Sequence, residues 1–486
     1  MTTPQTSLSA QIWRKKPITP ATATSSEGLQ RSIGTFTLMM FGVGATVGTG
    51  VFFVMHEAVP DAGPAVVISF LLAGLAAGLS ALSYAEMASA VPVSGSTYSY
   101  AYATLGELIA MGVAACLLLE YGVSTAAVAV GWSDYLNQLL HNLIGWQIPT
   151  ALSAAPWDAE PGFVNLPALI LVLMCAILLI RGAAESATAN AVMVVIKLAV
   201  LLMFVAIAFT GFHADNFADF APNGITGITA AAGTIFFTFI GLDAISTAGN
   251  EVRDPQRTMP RAILGALAIV TTIYVLVAVS ALGTQPWQAF GDAAQSEAGL
   301  AKILEDVVGS TWPGTVLSAG AVVSIFSVTL VTMYGQTRIL FAIGRDGLLP
   351  QTFARVNART HTPVNNTVVV AVVVGLLAAF VPLDYLWDLV SIGTLIAFMV
   401  VSIGVIILRR TRPDLPRAFK VPGYPVTPVL AVAACLYILS GLPWYTYAWF
   451  LLWLGVVLTF YFLWGRKHSR LQRAVEAGTL DREEMR

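Results

Sequence analysis

Two ionisable side chains stand inside apolar segments of this 486-residue chain, where a charge is costly. Lys197 follows the apolar run 194–196, and Glu120 lies midway along another apolar stretch. An ionisable residue at membrane depth is by default a candidate for function. Lys197 is a candidate proton carrier, because a buried ammonium loses its hydration; alternatively, its side chain snorkels to the membrane surface. Glu120 could bind a cationic side chain or a water network, or serve as a structural carboxyl group.

Glycine interrupts two of the apolar segments, and both interruptions are candidate substrate sites. Residues 42–50 contain four glycines, each of which costs a helix about 1 kcal/mol relative to alanine. Residues 236–243 are interrupted similarly, around Gly241. A pair of broken membrane helices indicates the binding site of a secondary transporter, because irregular backbone is tolerated there only where its polar groups are satisfied. The alternative is that these glycines only permit close helix packing.

The two breaks are expected to expose opposite partial charges. The N–H groups of residues 48–50 would begin a half-helix and suit a carboxylate. The carbonyls of residues 237–240 would end another half-helix and suit an ammonium group. Together they predict a receptor for a zwitterion, of which an α-amino acid is the simplest. Asp243 is expected to cap the helix that follows the second break, and with Gly241 to support the break.

The composition indicates an all-α membrane protein. Apolar residues make up 57% of the chain and charged residues 11%, whereas a soluble domain has about 25% charged residues. The three cysteines lie in apolar runs, which argues against a disulfide framework or a metal cluster. Windows of about 20 apolar residues predict twelve spans, near 36–55, 64–88, 104–138, 164–180, 188–212, 226–249, 260–283, 306–343, 364–382, 386–409, 427–443 and 446–464.

The distribution of positive charge predicts the orientation. Of the 25 lysines and arginines, only Lys197 and Lys302 lie outside the segments assigned to the cytoplasmic side. This positive-inside bias places both termini in the cytoplasm. The first 32 residues contain no signal peptide and are expected to form a polar, mobile tail. Glu86 and Glu251, near the cytoplasmic ends of spans two and six, are expected to belong to an inner gate or to pair with loop arginines.

The broken spans are the first and sixth, and the longest are the third and eighth. An offset of five spans reverses the direction of the second unit, as an inverted repeat requires. The predicted organisation has two tails, two repeats, a proline-rich loop and two extra spans: 1–32, 33–212, 213–410, 411–426, 427–465 and 466–486. Hydroxyl groups of the eighth span are candidates for lining a pathway, although they often bond their own backbone: Ser324, Ser327, Thr329 and Thr332.

Several motifs resemble the amino acid–polyamine–organocation superfamily, and most closely its cationic amino acid transporter branch in a bacterial form. They extend over most of the chain, from about residue 30 to 430. They are residues 42–52 (GVGATVGTGVF), 119–121 (LEY), 129–133 (AVGWS), 239–243 (FIGLD), 334–338 (YGQTR), 345–350 (RDGLLP), 412–417 (RPDLPR) and 421–425 (VPGYP).

The resemblance implies the fold of sodium-coupled leucine transporters, with five-plus-five inverted repeats and two further helices. It assigns the substrate amino group to the second break and an aromatic gate to Phe236 or Phe237. It implies that the ammonium of Lys197 replaces a sodium ion and that Glu120 is linked to cationic substrates. The residues expected to bind substrate are Thr46, Val47, Gly48, Thr49, Gly50, Glu120, Phe236, Phe237, Phe239, Ile240 and Ser324.

The sequence therefore predicts a proton-coupled amino acid importer of the bacterial inner membrane, with no cofactor and no need for sodium. Its substrates are expected to be cationic amino acids such as arginine, lysine or ornithine, or small neutral ones such as alanine. An antiporter of the same fold is the alternative. An enzyme is disfavoured, because no catalytic constellation is evident, and a channel would not need a zwitterion site. The expected partners are the substrate and the bilayer, without nucleic acid. Oligomeric state and a small membrane subunit are left open.

Overall fold

The computed structural model describes residues 11–17, 31–158, 161–291, 299–440 and 444–476. Within these ranges the chain is helical, without β-strands apart from one isolated bridge between Ile33 and Val252. The main helices of the first half are α1 (Thr35–Thr46), α2 (Thr49–Ala62), α3 (Val66–Ala90), α4 (Ser96–Thr104), α5 (Glu107–Ile144), α6 (Leu166–Arg181), α7 (Ala183–Ala208) and α8 (Gly224–Phe236). Those of the second half are α9 (Ala244–Thr247), α10 (Pro255–Thr284), α11 (Gly299–Val308), α12 (Trp312–Arg345), α13 (Val364–Phe380), α14 (Leu383–Thr411), α15 (Val426–Leu439), α16 (Trp444–Phe460) and α17 (Arg470–Glu476).

Seven stretches of the described residues are long and apolar enough to cross a membrane. They are Val54–Ala90, Glu107–Ile144, Ala184–Gly211, Pro255–Thr284, Trp312–Arg345, Ile392–Thr411 and Trp444–Ala474. Five shorter apolar helices accompany them, namely α1, α6, α8, α13 and α15. The chain is therefore an all-α polytopic membrane protein, as its composition predicts.

The longest helices are α5, with 38 residues, and α12, with 34, which confirms that the third and eighth predicted spans are overlong. They pack against each other along the centre of the molecule. Small residues let them approach closely: a Cβ on Gly335 would lie 2.4 Å from Tyr121, and one on Gly122 would lie 2.7 Å from Gln336. The pair forms a central scaffold against which the other helices pack.

The broken segments lie beside this scaffold. Helix α1 packs against α7, α10 and α12, and α2 packs against α8. The interruption between α1 and α2 is therefore held next to α7, which carries Lys197, and α12, which carries Ser324. This packing brings the predicted substrate residues of the first break and of α12 next to Lys197, the predicted proton carrier.

The sixth predicted span differs from expectation after its break. The prediction continued it as a half-helix to residue 249, but α9 has only four residues and the chain then turns until α10 begins at Pro255. Helix α4, between the second and third spans, was not predicted. The eleventh predicted span ends early, since α15 stops at Leu439, and residues 441–443 lie outside the described residues.

Part of the N-terminal tail is packed rather than mobile. Arg14 is 5% exposed and forms an ion pair of 2.8 Å with Glu107 at the start of α5. Lys16 pairs with Asp346 at the end of α12, at 2.5 Å. The expectation of a mobile tail is therefore wrong for residues 11–17, because buried carboxylates at two helix ends bind their basic side chains. We call this side of the molecule, where residues 11–17 and α17 meet the ends of α5 and α12, the tail face.

Candidate functional site

The first break consists of Val47 and Gly48, between α1 and α2. Val47 is extended (φ −79°, ψ 93°) and Gly48 adopts φ −136° and ψ −139°, so the helical hydrogen bonding stops and restarts here. A Cβ on Gly48 would lie 2.5 Å from a methyl group of Val328 in α12, so only glycine fits. No side chain caps α2 at Gly48. Its first N–H groups are thus available to an anion, as the sequence predicts.

The second break comprises residues 237–243, a 3₁₀ turn at Phe237–Phe239 followed by an irregular turn. Gly241 has φ +103°, and a Cβ there would lie 2.8 Å from the carbonyl oxygen of Ala45. A Cβ on Gly50 would lie 2.9 Å from a methyl group of Thr238. The backbones of the two breaks therefore lie against each other, which places amide donors and carbonyl acceptors in one small region.

Tyr274 of α10 connects the two breaks, and the sequence analysis missed it. Its hydroxyl oxygen lies 3.0 Å from the carbonyl oxygen of Thr46 and 3.0 Å from that of Thr238. The hydroxyl has one proton, so it can donate to one of these carbonyls at a time. The only signal in the sequence is a tyrosine, with its polar hydroxyl group, in the middle of an apolar span.

The side chain of Lys197 points at the first break. Its ammonium donates to the carbonyl of Gly44 at 2.9 Å and to the carbonyl of Val47, and lies 3.4 Å from the hydroxyl of Ser327. Lys197 is 1% exposed. The snorkelling alternative is therefore wrong, because the charged end is bound inside the protein.

Two serines and an asparagine complete the surroundings of Lys197. Ser324 donates to the Val47 carbonyl at 3.0 Å, and Ser327 donates to the side-chain oxygen of Asn190 at 2.7 Å. Asn190 in turn donates to the carbonyl of Met40 at 3.1 Å. Asn190 was also missed, although it lies seven residues before Lys197 and hence on the same face of α7.

The other predicted residues of the breaks are less fully defined. Phe236 and Phe239 are both 1% exposed, and the Phe239 ring packs edge-on against Tyr274 at 5.3 Å. Ile240 is half-buried, and Thr46 donates its hydroxyl to the Gly42 carbonyl at 2.9 Å. The side chains of Thr49 and Phe237 lie outside the described residues, so the aromatic gate stays a prediction.

Asp243 does not form the predicted cap. Its carboxylate accepts no hydrogen bond from the start of α9; instead, the hydroxyl of Tyr121 donates to it at 2.6 Å. The physical reason is that α5 packs against the turn after the second break and presents a stronger donor. Asp243 thus connects the second break to the central scaffold.

Glu120 lies beside the end of the second break rather than beside the first. Trp132 of α5 donates to the carbonyl of Val322 in α12. Two residues further along α12, Ser324 contacts the first break. Glu120 precedes Trp132 by twelve residues, which is about 18 Å along a helix at 1.5 Å per residue. It lies toward the tail face, beside Tyr121 and the second break's last residue, Asp243. The predicted contact of Glu120 with a substrate side chain stays a prediction.

The family of this chain follows from a comparison with known proteins. A family model described as "Amino acid permease" matches residues 33–464. The chain belongs to the amino acid permease family. The resemblance to the amino acid–polyamine–organocation superfamily is thereby confirmed.

The permease has full-length bacterial relatives and longer plant ones. It is 42% identical over 470 residues to the branched-chain amino acid permease BcaP of Bacillus subtilis strain 168, covering 96% of this chain and 100% of that protein. It is 40% identical over 466 residues to the methylthioribose transporter of the same organism, with the same coverage. It is 35% identical over 410 residues to the vacuolar cationic amino acid transporter 2 of Arabidopsis thaliana, covering 82% of this chain and 63% of that protein. These relatives are permeases and transporters, not enzymes, as the sequence predicts.

Ion pairs close the tail face of the permease. Glu251, just after α9, binds Arg338 of α12 at 2.8 Å, and both side chains are 0% exposed; the Tyr334 hydroxyl donates to the same carboxylate. Glu86 of α3 binds Arg409 of α14 at 2.5 Å. The prediction that Glu86 and Glu251 form ion pairs is confirmed. Arg338 and Arg409 lie inside helices rather than in loops, whereas a loop arginine, Arg417, also pairs with Glu86 at 3.4 Å. These pairs join the segment of the second break, and helix α3, to other helices of the bundle.

Proposed function

We propose that this permease is a secondary transporter that imports amino acids together with protons by alternating access. The proposal includes twelve membrane spans, a five-plus-five inverted repeat with two additional helices, and both termini in the cytoplasm. Three observations support it. The breaks fall in the first and sixth predicted spans, positive charge is concentrated on one side, and ion pairs close the tail face, which the proposal places in the cytoplasm.

The substrate backbone would bind across the two breaks. The N–H groups of residues 48–50 would hold its carboxylate, and the carbonyls of residues 237–240 would hold its ammonium group. Binding at both poles would draw the two breaks together, and Tyr274, which already contacts a carbonyl from each, would stabilise that arrangement. The inner ion pairs would then break as the cytoplasmic side opens.

The observation that carries the proposal is the contact of Lys197 with the first break. A charged ammonium has three N–H donors, and those of Lys197 are directed at two carbonyls of the break and a hydroxyl of α12. A neutral amine holds these acceptors more weakly. Loss of the proton would thus loosen the first break. Protonation of Lys197 would in this way be coupled to the substrate site. No sodium ion would be needed, because the ammonium supplies the positive charge.

The substrate side chain is proposed to be neutral and aliphatic. A relative with 42% identity is named a branched-chain amino acid permease. Cationic amino acids are the second candidate, supported by the relatives named cationic amino acid transporters.

Uptake into proteoliposomes tests this function. Purified permease should accumulate labelled leucine when the outside is acidic and sodium is absent. In a competition panel of twenty amino acids, isoleucine and valine should compete most strongly, and arginine weakly. Competition by methylthioribose without competition by any amino acid would overturn the proposal. Uptake that needs an exchangeable amino acid inside and ignores the pH gradient would establish the antiporter instead.

A further inference from the structure

Two carboxylates are buried together on the tail-face side of the breaks. Glu120 of α5 and Asp243 of the second break are each 2% exposed. Asp243 is close enough to Glu120 for the charges of the two groups to interact. Tyr121, the next residue after Glu120, donates its hydroxyl to Asp243 at 2.6 Å. The two carboxyl groups therefore form one cluster, which neither the head-group contacts at the breaks nor Lys197 uses.

Three of the four carboxylate oxygens are buried without a well-formed hydrogen bond among the described residues. Both oxygens of Glu120 and one of Asp243 lack a hydrogen bond within the part of the chain that the structure describes. The hydroxyl of Thr394 of α14 faces Glu120, but its single proton is also directed at the Val390 carbonyl, at 3.2 Å. Buried polar groups are almost always hydrogen-bonded, so these oxygens indicate that something binds them.

The cluster also lacks a positive charge. The ion pairs of the described residues include neither Glu120 nor Asp243. The titratable groups facing the pair are Tyr84 of α3, Tyr100 of α4, and Cys116 and Tyr121 of α5. None of these groups is cationic. By contrast, the buried Glu107 at the start of the same helix is paired with Arg14.

Electrostatics then requires a bound cation. An ionised carboxylate buried without a partner is strongly unfavourable, and two like charges that share a site cannot both be ionised. At least one of the two groups must therefore hold a proton, or a cationic group must enter the cluster. The pair lies at the end of the second break, on the side that leads to the Glu251–Arg338 ion pair, and this position indicates which transport step it serves.

We propose that Glu120 and Asp243 form a second proton-binding site, which holds its proton while the cytoplasmic side is closed and releases it when that side opens. This inference rests on the proposed function, since it uses the cytoplasmic position of the tail face. In the closed structure the pair is buried and stays neutral. When the Glu251–Arg338 pair separates, water reaches the carboxyl groups and stabilises their charged form. A higher cytoplasmic pH therefore favours the open state.

Leucine exchange at controlled internal pH tests the inference. Proteoliposomes containing the full-length permease and unlabelled leucine are placed in labelled leucine. The external pH is fixed, and the internal pH is set to about 6 or about 8. Wild-type exchange should rise at least fivefold as the internal pH rises. The variant Glu120→Gln/Asp243→Asn, whose pair is permanently neutral, should exchange at both values as slowly as the wild type at pH 6. The matched control Asp134→Asn, an exposed carboxylate on the same helix, should keep the wild-type pH dependence.

Two further measurements keep the outcomes distinct. If exchange by the double variant is undetectable, hydrogen exchange of the backbone amides of 336–345 decides: greater protection than in the wild type supports the inference, and lesser protection overturns it. Exchange of labelled arginine is run in parallel. Loss of arginine exchange with unchanged leucine exchange would overturn the inference by making the pair a substrate contact, as would a double variant that still accelerates with internal pH. A wild type that exchanges no amino acid would instead refute the proposed function.

Discussion

At the scale of single residues, the candidate site depends on side chains that bind backbone carbonyls. Lys197, Ser324 and Tyr274 all direct their polar ends at carbonyl groups freed by the first break. Broken membrane helices need such partners, because an unsatisfied carbonyl in a dry interior costs several kcal/mol. The same contacts couple the break to movements of three helices, because each of these donors belongs to a different helix.

Removing the hydroxyl of Tyr274 should weaken the contact between the two breaks. Tyr274→Phe leaves the Thr46 and Thr238 carbonyls without this donor, at a cost of about 1–3 kcal/mol. We expect the KM for leucine uptake to rise about tenfold, with a smaller fall in melting temperature. Tyr437→Phe, which changes a tyrosine 63% exposed on α15, is the control and should behave as the wild type. An unchanged KM in Tyr274→Phe would show that the bridge does not support the substrate site.

At the scale of elements, glycine decides where the first broken helix stops. Gly48 has no room for a side chain, because a Cβ there would lie 2.5 Å from a methyl group of Val328 of α12. Helix α8 contains Gly233, where a Cβ would meet nothing within 4 Å. Alanine substitutions at these two positions therefore distinguish a steric requirement for glycine from the general effect of glycine on helix propensity.

Gly48→Ala should abolish uptake, whereas Gly233→Ala should leave it unchanged. The added methyl group at position 48 overlaps Val328, which costs about 1–3 kcal/mol and displaces the first break. Uptake of labelled leucine and binding by the purified variants provide the measurement. The double variant Gly48→Ala/Val328→Ala should recover part of the binding. Full activity of Gly48→Ala alone would refute the assignment of the carboxylate to this break.

The sequence predicted the elements better than the contacts between them. Apolar length and glycine positions are local signals, so the helices and both breaks lie close to where they were expected. Tyr274, Asn190 and the tail-face position of Glu120 depend on which helices pack together and in what register. No local sequence pattern encodes the packing partners of a helix or their register. The failed cap of Asp243 has the same origin, since Tyr121 is distant from it in sequence.

At the scale of the whole molecule, the described N-terminal and C-terminal segments are both bound to one carboxylate at the tail face. Glu107 accepts two hydrogen bonds from Arg14 and one each from Tyr102, Tyr461 and Ser469. Burial, and then the negative charge of Glu107, raise the pKa of the Tyr102 hydroxyl, which therefore stays protonated and remains a donor. The N-terminal segment, α4, α5 and the C-terminal segment thus share a single buried anchor.

Arg14→Ala should destabilise the permease strongly. Removing one partner of a buried ion pair leaves the other charge uncompensated, at a cost of about 3–5 kcal/mol. Thermal unfolding in detergent should show a clear fall in melting temperature for Arg14→Ala. Lys15→Ala, which changes the adjacent half-buried lysine, is the control and should unfold close to the wild type. Equal melting temperatures for the two variants would contradict the structural role of the N-terminal segment.

The central claim is that the proton on Lys197 drives accumulation of substrate. The most direct measurement is leucine accumulation in sodium-free proteoliposomes with an acidic exterior and the membrane potential clamped at zero. With one proton per leucine, a gradient of two pH units supports up to about a hundredfold accumulation, since each unit is worth about 1.4 kcal/mol. We predict that the wild type and Lys302→Ala, which changes an exposed lysine on α11, accumulate leucine, and that Lys197→Ala only equilibrates it. Accumulation by Lys197→Ala, or accumulation that requires sodium, would contradict the account.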